Sequence, residues 1–252
     1  MTAWQIALVG SAAFCAGAMN AVAGGGTFFS FPALLAVGVP PVTANASNSV
    51  ALWPASLSGA WAYRKELARH KRYLVPLGAV SFVGGIAGGL LLLATQDAMF
   101  SRLIPWLLLF ATLLFAFSGR IAPLLRSSRR RRPANGAASL AGHGVVAVYG
   151  GFFGAGMGIL MLASLALAGH EDVHEINAIK NLLSAVVYSV TVLTFIAAGA
   201  VDWPYTLIML AAATLGGYGG AAFARRIPPI WLRRFIITAG LALTAFYFQK
   251  TL

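Results

Sequence analysis

Asn20-Ala-Val-Ala-Gly-Gly-Gly-Thr-Phe-Phe-Ser-Phe-Pro-Ala-Leu-Leu-Ala-Val-Gly38, followed by Pro40-Pro-Val-Thr-Ala-Asn-Ala-Ser-Asn48, is the stretch on which the fold turns. An apolar helix runs into three consecutive glycines, Gly24, Gly25 and Gly26. The apolar run after them, Thr27 to Val37, is too short to cross a bilayer, which takes about 20 helical residues. Pro40-Pro41 then stops the chain, and Asn45 and Asn48 open the next apolar segment. The pattern returns as Gly154-Ala-Gly156-Met-Gly158, a short apolar run to Ala168, a polar turn, and then Asn177, Lys180 and Asn181. Interrupted helices at corresponding places in two halves of an apolar chain point to a solute-binding site between the halves.

Working outward, the composition fits a membrane protein. Of 252 residues, 59% are hydrophobic and 10% charged, with mean hydropathy +0.80. A soluble domain carries about 25% charged residues. Backbone groups find no partners in lipid, so the spans are expected to be helices and the chain an all-α integral membrane protein. The net charge of +12 sits in short clusters between apolar runs, the distribution set by membrane insertion, so nucleic acid is not an expected partner. Cys15 is the one cysteine, which excludes an intramolecular disulfide; small-residue packing is its expected role. No Lys or Arg precedes the first apolar run, so residues 4–22 read as mature structure rather than a signal peptide.

Taken in order, apolar helices are expected over 4–22, 27–37, 44–63, 73–93 and 101–118. Those of the second half are expected over 139–153, 158–168, up to about 198, over 204–224, and to about 248. Residues 123–138, with Arg129 to Arg132, Pro133 and Gly136, form a basic cytoplasmic linker between membrane repeats 1–122 and 139–252. The halves align on each other without a gap. Asn45 and Asn177 are 132 residues apart, and so are Gly24 and Gly156, Gly26 and Gly158, Tyr73 and Tyr205, and Gly84 and Gly216.

Charge placement orients the two units. Loops 64–72, 120–132 and 225–234 hold 15 of the 18 Lys and Arg residues. Setting all three inside obeys the positive-inside rule, and it requires the second repeat to be inverted relative to the first. Each repeat then comprises a broken-helix hairpin plus three spanning helices, with both termini outside. A parallel eight-span bundle is the competing arrangement, and it leaves one basic loop on the wrong side.

The expected site combines Gly24, Gly25, Gly26, Thr27, Asn45, Asn48, Gly156, Gly158, Asn177, Lys180 and Asn181. Helix N-termini at the breaks attract anions, and glycines let a ligand approach the backbone. Asparagine amides can donate to a ligand, although N-capping and interhelical bonds also occupy such residues. Lys180 is the basic residue set well inside an apolar segment; it can neutralise an anion or snorkel to the surface. All six acids fall in expected loops or helix ends, whereas a cation carrier needs a carboxylate at membrane depth. The cluster His170, Glu171, Asp172, His174 and Glu175 reads as a solvated cap, with Asp172 a candidate N-cap, and no metal or other cofactor is called for. His70 and His143 lie in or beside basic loops and are expected to be solvated.

The sequence resembles the TauE/SafE family of sulfite exporter-like permeases over nearly its whole length. The likeness is carried by Asn20 with Gly24-Gly-Gly26, Pro32 and Ala44-Asn45-Ala-Ser-Asn48. In the second half it is carried by Gly150-Gly-Phe-Phe-Gly154-Ala-Gly156, Gly199-Ala-Val-Asp202-Trp203, and Gly216-Gly-x-x-Gly220 leading into Arg225-Arg226. The resemblance implies an inner-membrane permease of two related halves, acting on sulfite, organosulfonates or related organic anions. One departure stands out: Met157 sits where relatives often have a run of glycines, which bears on the width of the site. The expected partners are a small anionic solute and membrane lipids. The rival reading is a membrane protein that transports nothing, either a lipid-modifying enzyme or a subunit of a larger complex.

Overall fold

A computed structural model of the chain describes residues 1–23, 26–62, 64–67, 71–127, 136–167, 173–220 and 229–251. These residues are helical almost throughout, with no strand among them. Helix α1 (Ala3–Ala23) is followed by short α2 (Thr27–Ala36), α3 (Pro41–Ala62), a single turn α4 (Arg64–Leu67), α5 (Lys71–Ala94) and α6 (Asp97–Ser127). The second half comprises α7 (Ala137–Phe152), short α8 (Met157–Leu167), α9 (Val173–Ala197), α10 (Trp203–Leu215) with a π-helical continuation Gly216–Gly220, and α11 (Pro229–Thr251). Helices α3, α5 and α6 begin at residues 41, 71 and 97, and α9, α10 and α11 at 173, 203 and 229, each 132 later. Helix α6 is longer than the sequence suggests. It continues through Arg120 and Arg126 to Ser127, because arginine marks the end of the apolar span without breaking a helix.

Leu74–Ala94, Asp97–Phe117 and Ala178–Ala197 are each long and apolar enough to cross a membrane. Large apolar side chains point outward along them and their neighbours, among them Val75, Val83, Leu90, Val145, Leu193 and Leu207. A water-soluble helix would turn a polar face there. Around such a surface lipid is the matching solvent, and the chain is an integral membrane protein. Trp61 is exposed at the end of α3, with the Arg64 guanidinium 4.8 Å above its ring, an amphipathic pair suited to a bilayer interface.

Helix ends follow from local sequence. Helix α2 closes in a Schellman motif: Val39 N donates to Leu34 O at 3.1 Å and Gly38 N to Leu35 O at 3.2 Å, with Gly38 at φ +88°. Helix α9 ends the same way, with Gly199 at φ +66° and Ala200 N donating to Phe195 O at 3.0 Å. Asp202 caps α10 by accepting from Tyr205 N at 3.2 Å, and Asp97 at the head of α6 accepts from Val42 N at the head of α3.

Most of the helix packing runs between the halves, and its directions are readable from contacts. Trp53 of α3 donates to Ser189 Oγ of α9 at 2.9 Å. Ser47, earlier in α3, accepts from Asp202 N just beyond α9, while Leu67 in α4 shares a core cluster with Ile176 and Ile179 at the head of α9. Rising numbers on one helix meet falling numbers on the other, so α3 and α9 are antiparallel. Helices α6 and α11 are antiparallel too, since Trp106 stacks edge-on against Phe248 at 5.0 Å and Thr112 meets Gly240. Helices α5 and α7 run parallel, with Ser81 against His143, Gly84 against Ala147 and Gly88 against Phe152. Helices α1 and α10 are likewise parallel, Gly10 against Ile208 and Gly17 against Ala213.

Glycines set how closely these helices approach. A Cβ at Gly84 would fall 2.6 Å from the Ala147 Cβ, and one at Gly151 would fall 2.5 Å from Gly85 O. Gly216 abuts Phe14 O of α1 in the same manner. Gly216 is 132 residues after Gly84, and the residue 132 after Phe14 is Val146, beside Ala147. Without a hydrophobic drive between helices in lipid, such backbone-to-backbone contact is what holds spans together.

Candidate functional site

The two breaks are built differently. At the first, Gly26 has ordinary helical angles (φ −58°, ψ −38°), so its lack of a side chain serves proximity rather than conformation. A Cβ there would lie 2.5 Å from Ala16 O, because α2 folds straight back on α1. No side chain caps α2, and Phe29 N and Ser30 N turn inward to Gly26 O. At the second break Gly154 and Gly156 have φ +77° and +75°, the left-handed region that glycine enters without steric cost. Gly24 and Gly25 lie outside the described residues.

Side chains from both halves converge between the breaks. Asn45 on α3 is 1% exposed and donates through Nδ2 to Phe152 O, the last residue of α7, at 2.8 Å. That bond fixes the amide, and it leaves Asn45 Oδ1 buried without a partner among the described residues. Asn48, one helical turn on, ties α3 to α2: its Oδ1 accepts from Ser30 Oγ and its Nδ2 donates to Thr27 Oγ1 at 3.4 Å. The Tyr188 hydroxyl of α9 hydrogen-bonds Thr27 at the first break, and a Cβ at Gly154 in the second would stand 3.2 Å from it. Phe31 of α2 and Phe153 meet edge-to-face at 5.5 Å, and Phe100 of α6 joins them. The first half's Asn45, Thr27 and Phe31 therefore touch the second half's break and its following helix.

Lys180 is partly buried on α9, and its stem passes 3.7 Å from where a Cβ on Gly158 would lie, in the first turn of α8. No carboxylate among the described residues pairs with it. A cation beside the positive end of a helix leaves two like partial charges together, an arrangement that an anion relieves. Asn181 is partly buried next to it; Asn177 lies in α9, with its side chain outside what is described. Met157 is 2% exposed and seated against Gly150 of α7, within the cluster that includes Val187.

Some residues stand otherwise than the sequence suggests. His143 is not solvated: it is 1% exposed, its ring held between Ser81 and Ser164. Its neighbours come from segments far away in the chain, so nearness to a basic run was a misleading guide. Cys15 is exposed on α1 and does not serve helix packing. Tyr188 and Ser30 escaped notice, although a hydroxyl deep in an apolar span is a usable signal because it needs a partner. His70, His170, Glu171 and Asp172 lie outside the described residues, as do the side chains of His174 and Glu175.

Comparison with known proteins bears on this arrangement. A family model described as "Sulfite exporter TauE/SafE" matches residues 9–247. A "Probable membrane transporter protein" of Haemophilus influenzae is 26% identical over 247 residues, covering 95% of this chain and 93% of that protein. The "Probable membrane transporter protein YfcA" of Escherichia coli K12 is 29% identical over 211 residues, 83% of this chain and 77% of its own length. "Probable membrane transporter protein ORF9" of a Sinorhizobium species is 28% identical over 215 residues, 84% and 80% of the two chains. No solved structure matches the chain. With the family's pattern running through both breaks and the helices around them, the chain belongs to the TauE/SafE family.

Proposed function

We propose that this protein is a secondary transporter of a small anion, such as sulfite, an organosulfonate or a related organic anion, and that it works by alternating access in the inner membrane. The two halves are read as inverted repeats of residues 1–122 and 139–252, joined by the basic cytoplasmic linker 123–138. The observation that carries this reading is the antiparallel course of α3 against α9 and of α6 against α11. Each is a pair of helices 132 residues apart, and a two-fold axis relating antiparallel partners lies across them, in the plane of the membrane. The names of the relatives, all probable membrane transporters, support the same reading.

The solute sits between the breaks. The uncapped start of α2, the start of α8 and Lys180 supply positive potential. Asn45 spends its N–H on Phe152, so the atom it offers a ligand is the acceptor Oδ1, which suits a hydroxyl or other donor on an anion. Thr27, with Tyr188 bound to it, orients the solute, and Asn48 holds α2 in place. Rocking one repeat against the other then opens the site to each side in turn. Flux into proteoliposomes tests this with sulfite, methanesulfonate and small carboxylates. Lys180→Ala is expected to lower flux at least tenfold, since about 1.4 kcal/mol of lost anion attraction suffices for that factor. Undiminished flux of each transported anion in Lys180→Ala and Asn45→Ala would remove both residues from the site.

A further inference from the structure

His143 is the one ring system in the second half held by hydroxyls on both nitrogens, among the described residues. Nε2 lies 2.8 Å from Ser81 Oγ of α5, and Nδ1 lies 3.5 Å from Ser164 Oγ of α8. It thus joins three helices: α5 from the first half and the two arms, α7 and α8, of the second hairpin. From the head of α7 it lies six residues in, about 9 Å at 1.5 Å per residue, and nine residues short of the break.

The hydrogen-bond directions give this contact a second state. Ser164 Oγ donates to Met161 O at 3.0 Å, so toward the ring it accepts, and Nδ1 carries the proton. In the neutral ring Nε2 is then an acceptor, and Ser81 donates to it. If Nε2 gains a proton, Ser81 must accept instead and turn its own hydrogen elsewhere. Its place in α5 offers the carbonyl of Leu77 one turn back. Thr95, Thr112 and Thr191 all donate to their own carbonyls at that spacing. One hydroxyl rotation therefore fits the site to imidazole or imidazolium without moving the ring.

The titratable residues around it are otherwise engaged. Tyr149 of α7 donates to Ala155 O at 2.7 Å, Tyr188 of α9 bonds Thr27, and the Lys180 stem lies against Gly158; α8 carries no titratable residue. The side chains of Lys71, Arg72 and Tyr73 on α5, and of His174 and Glu175 on α9, lie outside the described residues.

We propose that His143 is the proton-binding group of the transport cycle, taking one proton on Nε2 from one side of the membrane and releasing it to the other as the second hairpin moves against α5. This rests on the carrier reading above. With few carboxylates at depth, histidine is the side chain whose charge changes near neutral pH. Movement of α8 relative to α5 and α7 breaks one or both serine contacts, so proton occupancy and hairpin position bias each other.

The test uses the full chain in proteoliposomes, with sulfite and methanesulfonate as probes and a trapped pH dye. For the wild type, an imposed pH gradient is expected to drive anion accumulation several-fold above equilibration, with a matching dye signal. His143→Gln keeps one donor and one acceptor but cannot titrate. It is expected to fold, to retain measurable exchange between equal anion concentrations, and to lose both gradient-driven accumulation and the dye signal. Ser81→Ala is expected to shift the pH profile of accumulation while exchange persists, which a purely structural contact would not do. Gradient-driven accumulation in His143→Gln at the wild-type level would overturn the proposal. Wild-type flux indifferent to the pH gradient would also overturn it, leaving the carrier reading in place. Absence of wild-type flux for every anion would remove both.

Discussion

Gly154 and Gly156 hold a backbone conformation that a side chain resists, whereas Gly158, two residues on, is helical and has only the Lys180 stem in ordinary contact. The two kinds of glycine therefore predict different outcomes. Gly156→Ala forces an alanine into the left-handed region, costing about 1–2 kcal/mol, and lowers the thermal midpoint in detergent by a few degrees. Gly158→Ala leaves that midpoint unchanged. Asn45 supports a sharper test, because its Nδ2 is committed to Phe152 O. Asn45→Asp replaces that donor by a carboxylate facing a carbonyl, in a site read as electropositive. Anion flux should fall further in Asn45→Asp than in Asn45→Ala, and equal flux in the two would argue against an anion beside this position.

At the scale of elements, the parallel pairs α5 with α7 and α1 with α10 rest on small residues, and the antiparallel pair α3 with α9 rests on a polar tie. Gly88→Leu would drive its side chain into Val148 O and Phe152 of α7, and overpacking of this kind costs about 1–3 kcal/mol or more. The expected result is loss of the folded protein in detergent, measured by size-exclusion profile, while Gly78→Leu, with open space around it, is tolerated. Trp53→Phe removes the bond to Ser189 and should cost only about 0.6 kcal/mol, the usual worth of such a bond between membrane helices. The short helices were legible from the sequence because three glycines, or glycines in alternation, cannot be part of a packed span without a reason. Helix α6 was not, because its arginines tell where the lipid ends and say nothing of where the helix does.

For the whole molecule, much of the arrangement was legible from one number, the spacing of 132, which reappears in the starts of three helix pairs. The convergence of Asn45 on the second break was only half legible. An asparagine in an apolar run must find a partner, but that this partner is Phe152 O, 107 residues away, is a fact of packing. His143 and Tyr188 were illegible for the same reason, since what surrounds them is supplied by other segments. The central claim is that the two halves are inverted, which sets the breaks facing each other and all three basic loops on one side. Single cysteines placed at Ala68, Ile230 and Ala200 in a Cys15→Ala background, probed with a membrane-impermeant maleimide on intact cells, measure this directly. The account predicts that only the cysteine at Ala200 reacts before permeabilisation, and that those at Ala68 and Ile230 react only after it. Reaction of either Ala68→Cys or Ile230→Cys on intact cells, with the other protected, would contradict it.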